Sequence, residues 1–180
     1  MRTRPHGATL ARMNTTELLT DAYGRLPDGV ARLLDGLDEA GLTARPDAEA
    51  NTIAWLVWHL ARGQDAQVAA AAGTEQCWTA DGWADRFDLP FDTRATGYGH
   101  SSEEVAAVRA RAADLQGYLD AVHGGTVAFL GTLTEDDLDR VVDSSWDPPV
   151  TLGVRLVSIV ADGLQHLGQA SYVRGLYERT

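Results

Sequence analysis

The sequence predicts an all-α fold, a four-helix bundle with a long crossover between helices two and three. Four segments repeat apolar residues at the spacing of an α-helix. No segment alternates apolar and polar residues over the length that indicates a strand. One long stretch without any period, residues 74–100, separates the second helix from the third, as in bundles that contain one crossover connection.

The first two helices have clear limits. Apolar residues at helical spacing place the first over residues 15–37, where Gly24 and Pro27 predict either a kink or the start of a second piece. Asn51 is a good N-cap for the second helix, which we expect to stop at Gly73. The first half of this helix is apolar nearly all round, which is typical of a helix buried on several sides.

The crossover and the last two helices follow. The crossover is rich in aromatic side chains, which predicts that it packs against the bundle: Trp78, Trp83, Phe87, Phe91 and Tyr98. A capping box at residues 101–104 opens the third helix, which weakens at Gly124-Gly125. A connector that contains Pro148-Pro149 precedes the last helix, over residues 152–177.

Composition narrows the range of functions. The 180 residues predict a single domain over residues 13–180, preceded by a flexible N-terminal extension over residues 1–12. The formal net charge of −11 disfavours binding to nucleic acid or anionic membranes, and no apolar run is long enough to cross a bilayer. The single cysteine, Cys77, excludes an intramolecular disulfide and suits a cytoplasmic location. We expect Cys77 to be a small buried apolar residue, because no activating base lies beside it in the sequence.

Three residues carry the chemistry that the sequence predicts. Asp162 and His166 lie four positions apart on the last helix, so both side chains share one face. A carboxylate and a neutral imidazole are good ligands for a divalent ion. His59 is the best candidate for a third ligand, since a histidine in an apolar helix needs a polar partner. Two plainer interpretations stay open, a core histidine satisfied by a hydrogen bond and a surface ion pair.

Other residues near these positions are candidates for contacts with a substrate or a ligand. Trp55 can line a pocket beside His59, Gln169 can hydrogen-bond a ligand or a substrate, and Arg174 can hold a substrate carboxylate. Gln169 is equally compatible with a surface amide, and Arg174 with a charge at the helix C-terminus. The remaining histidines are weaker candidates: His6 in the extension, His100 before a helix cap, and His123 as a fourth ligand or a hydrogen-bond partner of one.

Two motifs resemble those of a known family. The segment NTIAWLVWHLARGQD resembles the second-helix motif of the DinB/YfiT-like metalloenzyme superfamily, and VADGLQHLGQASYVRG resembles its last-helix motif. The resemblance covers the chain from about Met13 onwards. It is strongest to the actinobacterial branch that includes mycothiol-dependent maleylpyruvate isomerase and the mycothiol transferases. It implies a DinB-like bundle whose metal is held by His59, Asp162 and His166. Many relatives have histidine in place of Asp162, whose shorter reach can loosen or shift the metal.

The resemblance also implies a reaction class. Three protein ligands leave an open position, which is typical of a catalytic metal. The implied ion is zinc, with nickel or iron as alternatives, and it activates a low-molecular-weight thiol, mycothiol, for transfer to a small electrophile or for isomerisation. Competing hypotheses are a metal-dependent hydrolase that uses bound water, an Fe(II) oxygenase, and a non-enzymatic, stress-linked bundle. We expect a small-molecule substrate and no nucleic-acid or membrane partner, and a homodimer stays open.

Overall fold

The structure is a computed structural model that describes residues 13–179, so the predicted extension and His6 lie outside the described residues. This part of the chain contains eight α-helices, one 3₁₀ turn at Asp136–Asp139 and one short hairpin. The helices are α1 (Thr15–Leu34), α2 (Glu39–Leu42), α3 (Ile53–Ala72), α4 (Cys77–Ala80), α5 (Trp83–Phe87), α6 (Ser102–Ala107), α7 (Ala112–Leu130) and α8 (Leu152–Tyr177). The hairpin strands are β1 (Val141–Asp143) and β2 (Val150–Thr151).

The four long helices, α1, α3, α7 and α8, form the bundle. Both α1 and α3 pack against α7 and α8, so α1 lies diagonally opposite α3. Most residues of α3 are buried, including consecutive runs that face every side of the helix. This agrees with its almost continuous apolar sequence, and the all-α bundle prediction is confirmed.

The crossover between α3 and α7 packs against the bundle, as most of its aromatic residues predict, but Tyr98 is 93% exposed and does not take part. It contains the short helices α4 and α5, and the side chains of Trp78 and Phe87 are buried against Tyr118 of α7. After α5 the chain returns towards α3 as an irregular segment, residues 88–100, which ends beside His59. The crossover therefore brings backbone groups to the first half of α3.

Helix boundaries differ from the sequence predictions in three places. Pro27 lies inside one continuous α1 that ends at Leu34, and the N-cap of α3 is Thr52 rather than Asn51. The predicted third helix is two helices: the capping box at Ser101 is present, but α6 ends at Ala107. The break occurs at the fully buried Val108, whose extended backbone suits a β-branched residue.

The connector between α7 and α8 contains the hairpin, which the sequence pattern did not predict. Its strands pair antiparallel, with an irregular register between Val141 and Asp143. Strands of three and two residues are too short to show a period of two in the sequence. None of the helices in residues 13–179 has the length and hydrophobicity that crossing a membrane requires.

Candidate metal centre

The site lies between α3 and α8, where the three predicted ligands meet. His59 projects from the first half of α3, and Asp162 and His166 share one face of α8. Each of the three offers one ligand atom, and these atoms all lie within 4.8 Å of one another. The rings of His59 and His166 have centroids 4.7 Å apart and are nearly perpendicular. Packing of two helices therefore brings together residues that are more than 100 positions apart in the sequence.

Both imidazoles are oriented by an oxygen atom on Nδ1. His59 Nδ1 hydrogen-bonds to the backbone carbonyl of Thr96, at the end of the crossover. His166 Nδ1 lies 2.8 Å from Oε1 of Gln169, one turn further along α8. Carbonyl oxygens only accept hydrogen bonds, so in the neutral form of each imidazole the proton lies on Nδ1 and the lone pair on Nε2. This is the arrangement in which histidine ligands of protein-bound metals are usually found.

The separation of the two donors on α8 also suits a small divalent ion. Ligand distances of about 2.0–2.2 Å in tetrahedral geometry place neighbouring donor atoms about 3.4 Å apart. His166 Nε2 and Asp162 Oδ1 are 3.5 Å apart, so the short side chain of Asp162 reaches the required position. The donor set of two neutral imidazoles and one carboxylate is typical of zinc and of other first-row metals. The residues present therefore fit a divalent metal, and in the described part of the chain no other group of three His, Cys, Asp or Glu residues does so.

Burial keeps His59 in the neutral form that a metal requires. Desolvation is the main cause that lowers its pKa, and the nearby His166 and His100 lower it further. The hydrogen bond to Thr96 and the charge of Asp162 act in the opposite direction. A ligand whose pKa lies below its ordinary value competes less with protons and binds a metal more readily at neutral pH.

Trp55 forms the inner wall of the site. Its indole stacks on the imidazole of His59, with ring centroids 4.5 Å apart and planes inclined by 16°. Its ring also lies edge-on to the ring of His166, with centroids 6.3 Å apart. Its Nε1 donates a hydrogen bond to Nδ1 of His100 at 3.2 Å. Trp55 is only 6% exposed, whereas the side chain of Asp162 is 52% exposed. The site is therefore closed on the Trp55 side and open to solvent on the Asp162 side.

Gln169 and Arg174, predicted as pocket residues, have different surroundings. Gln169 accepts a hydrogen bond from His166, and its contact with a substrate stays a prediction. Arg174 donates to the carbonyls of Arg32 and Leu33 at the end of α1 and pairs with Glu178. These contacts hold α8 against α1, and a substrate carboxylate at Arg174 likewise stays a prediction.

Two further predicted candidates lie elsewhere in the bundle. His123 of α7 lines a separate cavity with Gly24, Asp28 and Asp120, and it is not one of the three grouped ligands. Cys77, half-buried at the start of α4, directs its Sγ towards the carbonyl of Ala121 at 3.8 Å. Burial, with the charges of Asp65 and Asp81, raises the pKa of this thiol to about 11. Cys77 is thus half-buried rather than buried as expected, and its high pKa makes it a poor nucleophile at neutral pH.

Comparison with known proteins identifies the family. A family model described as the DinB superfamily matches residues 22–170. This chain belongs to the DinB superfamily. A solved structure described as a conserved protein from Enterococcus faecalis has the same fold as this DinB protein, with a TM-score of 0.87 and 32% sequence identity. The match covers 94% of this chain and all of that one. No curated protein matches the chain.

Sequence reasoning missed several contacts and buried charges near the DinB site. Thr96 acts through its backbone carbonyl, which leaves no signal in the residue type. His100 was a weaker candidate in the sequence, but its hydrogen bond from Trp55 was not predicted, because that contact depends on how the crossover folds. Arg62 and Asp65 are both buried in α3 close to His59, and here a signal was present. Two charged residues in a helix that is otherwise apolar indicate a buried ion pair.

Proposed function

We propose that this DinB protein is a divalent-metal-dependent enzyme that uses a low-molecular-weight thiol, mycothiol, to modify or isomerise a small electrophilic substrate. The observation that carries the proposal is the preorganised donor set. His59 and His166 both have Nδ1 occupied by an oxygen acceptor, and Asp162 completes a face of three donors. Sites that only stabilise a fold usually close all four positions, whereas three protein donors leave one for a reactant.

The ligands His59, Asp162 and His166 would hold the ion, which when bound lowers the pKa of a thiol and polarises a carbonyl. The protein contributes orientation and access. Trp55 excludes water from the inner side of the site, and the carboxylate of Asp162 lies at the open side. A small substrate would therefore approach from the solvent-exposed face of α8.

The thiol must come from outside the chain. Cys77 is its single cysteine; it hydrogen-bonds to Asp65 and to Ala121 and is not one of the three grouped ligands. With a pKa of about 11, Cys77 is almost wholly protonated at neutral pH. The resemblance of the α3 and α8 motifs to the mycothiol-dependent branch supports mycothiol as that external thiol.

Thiol dependence of the reaction tests the proposal. Zinc-loaded protein is incubated with a small aryl halide and with mycothiol, glutathione or no thiol, and thioether formation is measured. We expect product with mycothiol, little with glutathione, and none with the His166→Ala variant. Equal substrate consumption with and without thiol would instead favour a hydrolase that uses water.

A further inference from the structure

Arg62 and Asp65 form an ion pair in the interior of the protein, one and two turns after His59 on α3. Their charged groups are 3.5 Å apart, and their side chains are 0% and 4% exposed. Charges this deeply buried are costly unless every polar atom has a partner. The partners of this pair lie mainly in the crossover, which points to a role for the pair in placing that segment.

Arg62 fixes the last part of the crossover. Its Nε donates to the carbonyl of Ala95 at 3.1 Å, and its Nη2 donates to the carbonyl of Thr93 at 3.3 Å. Its Nη1 donates to Gln76 in the first part of the crossover and to the hydroxyl of Tyr118 on α7. The planar guanidinium thus binds backbone groups in fixed directions, which a lysine ammonium does not do.

Asp65 fixes the first part of the crossover. Its carboxylate accepts from the backbone N–H groups of Cys77 and Trp78, at 3.0 and 2.8 Å. It also accepts from the hydroxyl of Tyr118 at 2.8 Å. Both ends of the segment that connects α3 to α6 are therefore attached to one buried pair on α3.

The segment held by Arg62 is the one that contacts His59. Thr96 follows Ala95 directly, and its carbonyl accepts from His59 Nδ1. Gly97 comes next, and its backbone lies so close that a Cβ there would be 2.8 Å from His59 Nδ1. Residues 95–97 thus lie against Arg62 on one side and against His59 on the other. A shift of the Ala95 carbonyl would move the Thr96 carbonyl away from the imidazole.

We propose that Arg62 is a positioning residue for the metal centre. It acts through the carbonyl groups of Thr93 and Ala95 to hold the Thr96 carbonyl on His59 Nδ1. In this way it keeps the proton on Nδ1 and the lone pair on Nε2. The effect of Arg62 on metal affinity rests on the proposed metal function. The orientation of His59 does not, because it is a property of the metal-free protein.

The test compares Arg62→Lys with Arg140→Lys. Lysine at position 62 keeps the positive charge beside Asp65. It lacks the guanidinium nitrogens that donate to the carbonyls of Ala95 and Thr93. Arg140 is a matched control, because it also donates to a backbone carbonyl of α3, that of Ala71 at the far end of the helix. Nitrogen NMR of the metal-free proteins reports which nitrogen of His59 carries the proton, and a competitive chelator titration gives the Kd for zinc.

We expect Arg62→Lys to lose the single Nδ1–H tautomer of His59 and to raise the Kd for zinc about 10–100-fold, as substitutions of groups that orient a metal ligand do. Arg140→Lys should keep the wild-type tautomer and a Kd within about threefold. A wild-type tautomer in Arg62→Lys would overturn the proposal. If wild type binds no zinc, the metal function fails, while the tautomer measurement still decides the role of Arg62.

A second variant covers the case in which Arg62→Lys does not fold. The double change Arg62→Gln with Asp65→Asn removes both charges together and leaves no uncompensated buried ion. It should show the same mixed tautomer of His59. A single Nδ1–H tautomer in this double variant would equally overturn the positioning role.

Discussion

Gly97 offers a direct way to disturb the contact between the crossover and the metal centre. Its backbone has φ of +96°, and a Cβ built there would lie 2.8 Å from His59 Nδ1, 3.0 Å from Trp58 and 3.1 Å from Trp55. These neighbours are ring atoms of half-buried or buried side chains, which cannot give way as a flexible chain end can. Gly97→Ala should therefore combine overpacking with backbone strain.

The magnitude follows from these two effects. Overpacking in a filled interior costs about 1–3 kcal/mol, and a left-handed conformation of a residue with a Cβ costs about 1–2 kcal/mol. Gly97→Ala should thus reduce the free energy of unfolding by about 2–5 kcal/mol. Gly99, with φ of +76° and no atom within 4 Å of the place where a Cβ would lie, is the matched control. Gly99→Ala should reduce it by only about 1–2 kcal/mol.

Urea denaturation of the two metal-free variants measures the difference, and a zinc titration measures its consequence. Gly97→Ala should bind zinc more weakly than Gly99→Ala, because the added methyl group displaces the backbone that orients His59. Equal stability and equal zinc affinity in the two variants would refute the close contact between Gly97 and the ligand.

Three further predictions concern charge and protonation. Asp162→Asn should weaken zinc binding at least about tenfold, or ~1.4 kcal/mol, because a charged ligand becomes neutral. The control Glu103→Gln makes the same change from carboxylate to amide at an exposed position of α6 and should leave zinc affinity unchanged. Equal zinc affinities of the two variants would count against Asp162 as a ligand. Alkylation of Cys77 by iodoacetamide should be slow at pH 8 and accelerate up to about pH 11, since burial raises the thiol pKa to about 11. A rate that levels off near pH 8.5, as for an exposed thiol, would contradict the raised pKa. Metal-free protein should lose stability as pH falls below about 6.5, because burial lowers the folded-state pKa of His59 and His123 and the unfolded chain then binds more protons. His59→Gln should reduce that loss in urea denaturation at pH 7.5 and 5.5, and an unchanged loss would exclude His59 as a source.

The bundle and the grouping of the three candidate ligands could be predicted because their signals are local. The i, i+4 spacing of Asp162 and His166 places them on one face of α8 whatever the rest of the chain does. Gly73 stops α3 in the left-handed conformation that its residue type indicates. The apolar run around His59 signals burial, and a histidine there requires a polar partner.

The groups around the ligands could not be predicted because they depend on the path of the crossover. Thr96 contributes a carbonyl oxygen that every residue type possesses. The break at Val108 is decided by tertiary burial, which overrides the helical pattern that continues through it in the sequence. The hairpin strands are shorter than the window in which periodicity is visible.

The proposal that His59, Asp162 and His166 hold one divalent metal underlies the proposed function. It is tested most directly by elemental analysis of protein purified without a metal-affinity tag, as wild type and as His59→Ala, His166→Ala and His123→Ala. We expect about one equivalent of zinc, nickel or iron in wild type and in His123→Ala, and loss of that metal in the other two variants with helical content retained. Absence of metal from wild type after incubation with these ions, or full metal content in His59→Ala, would contradict it.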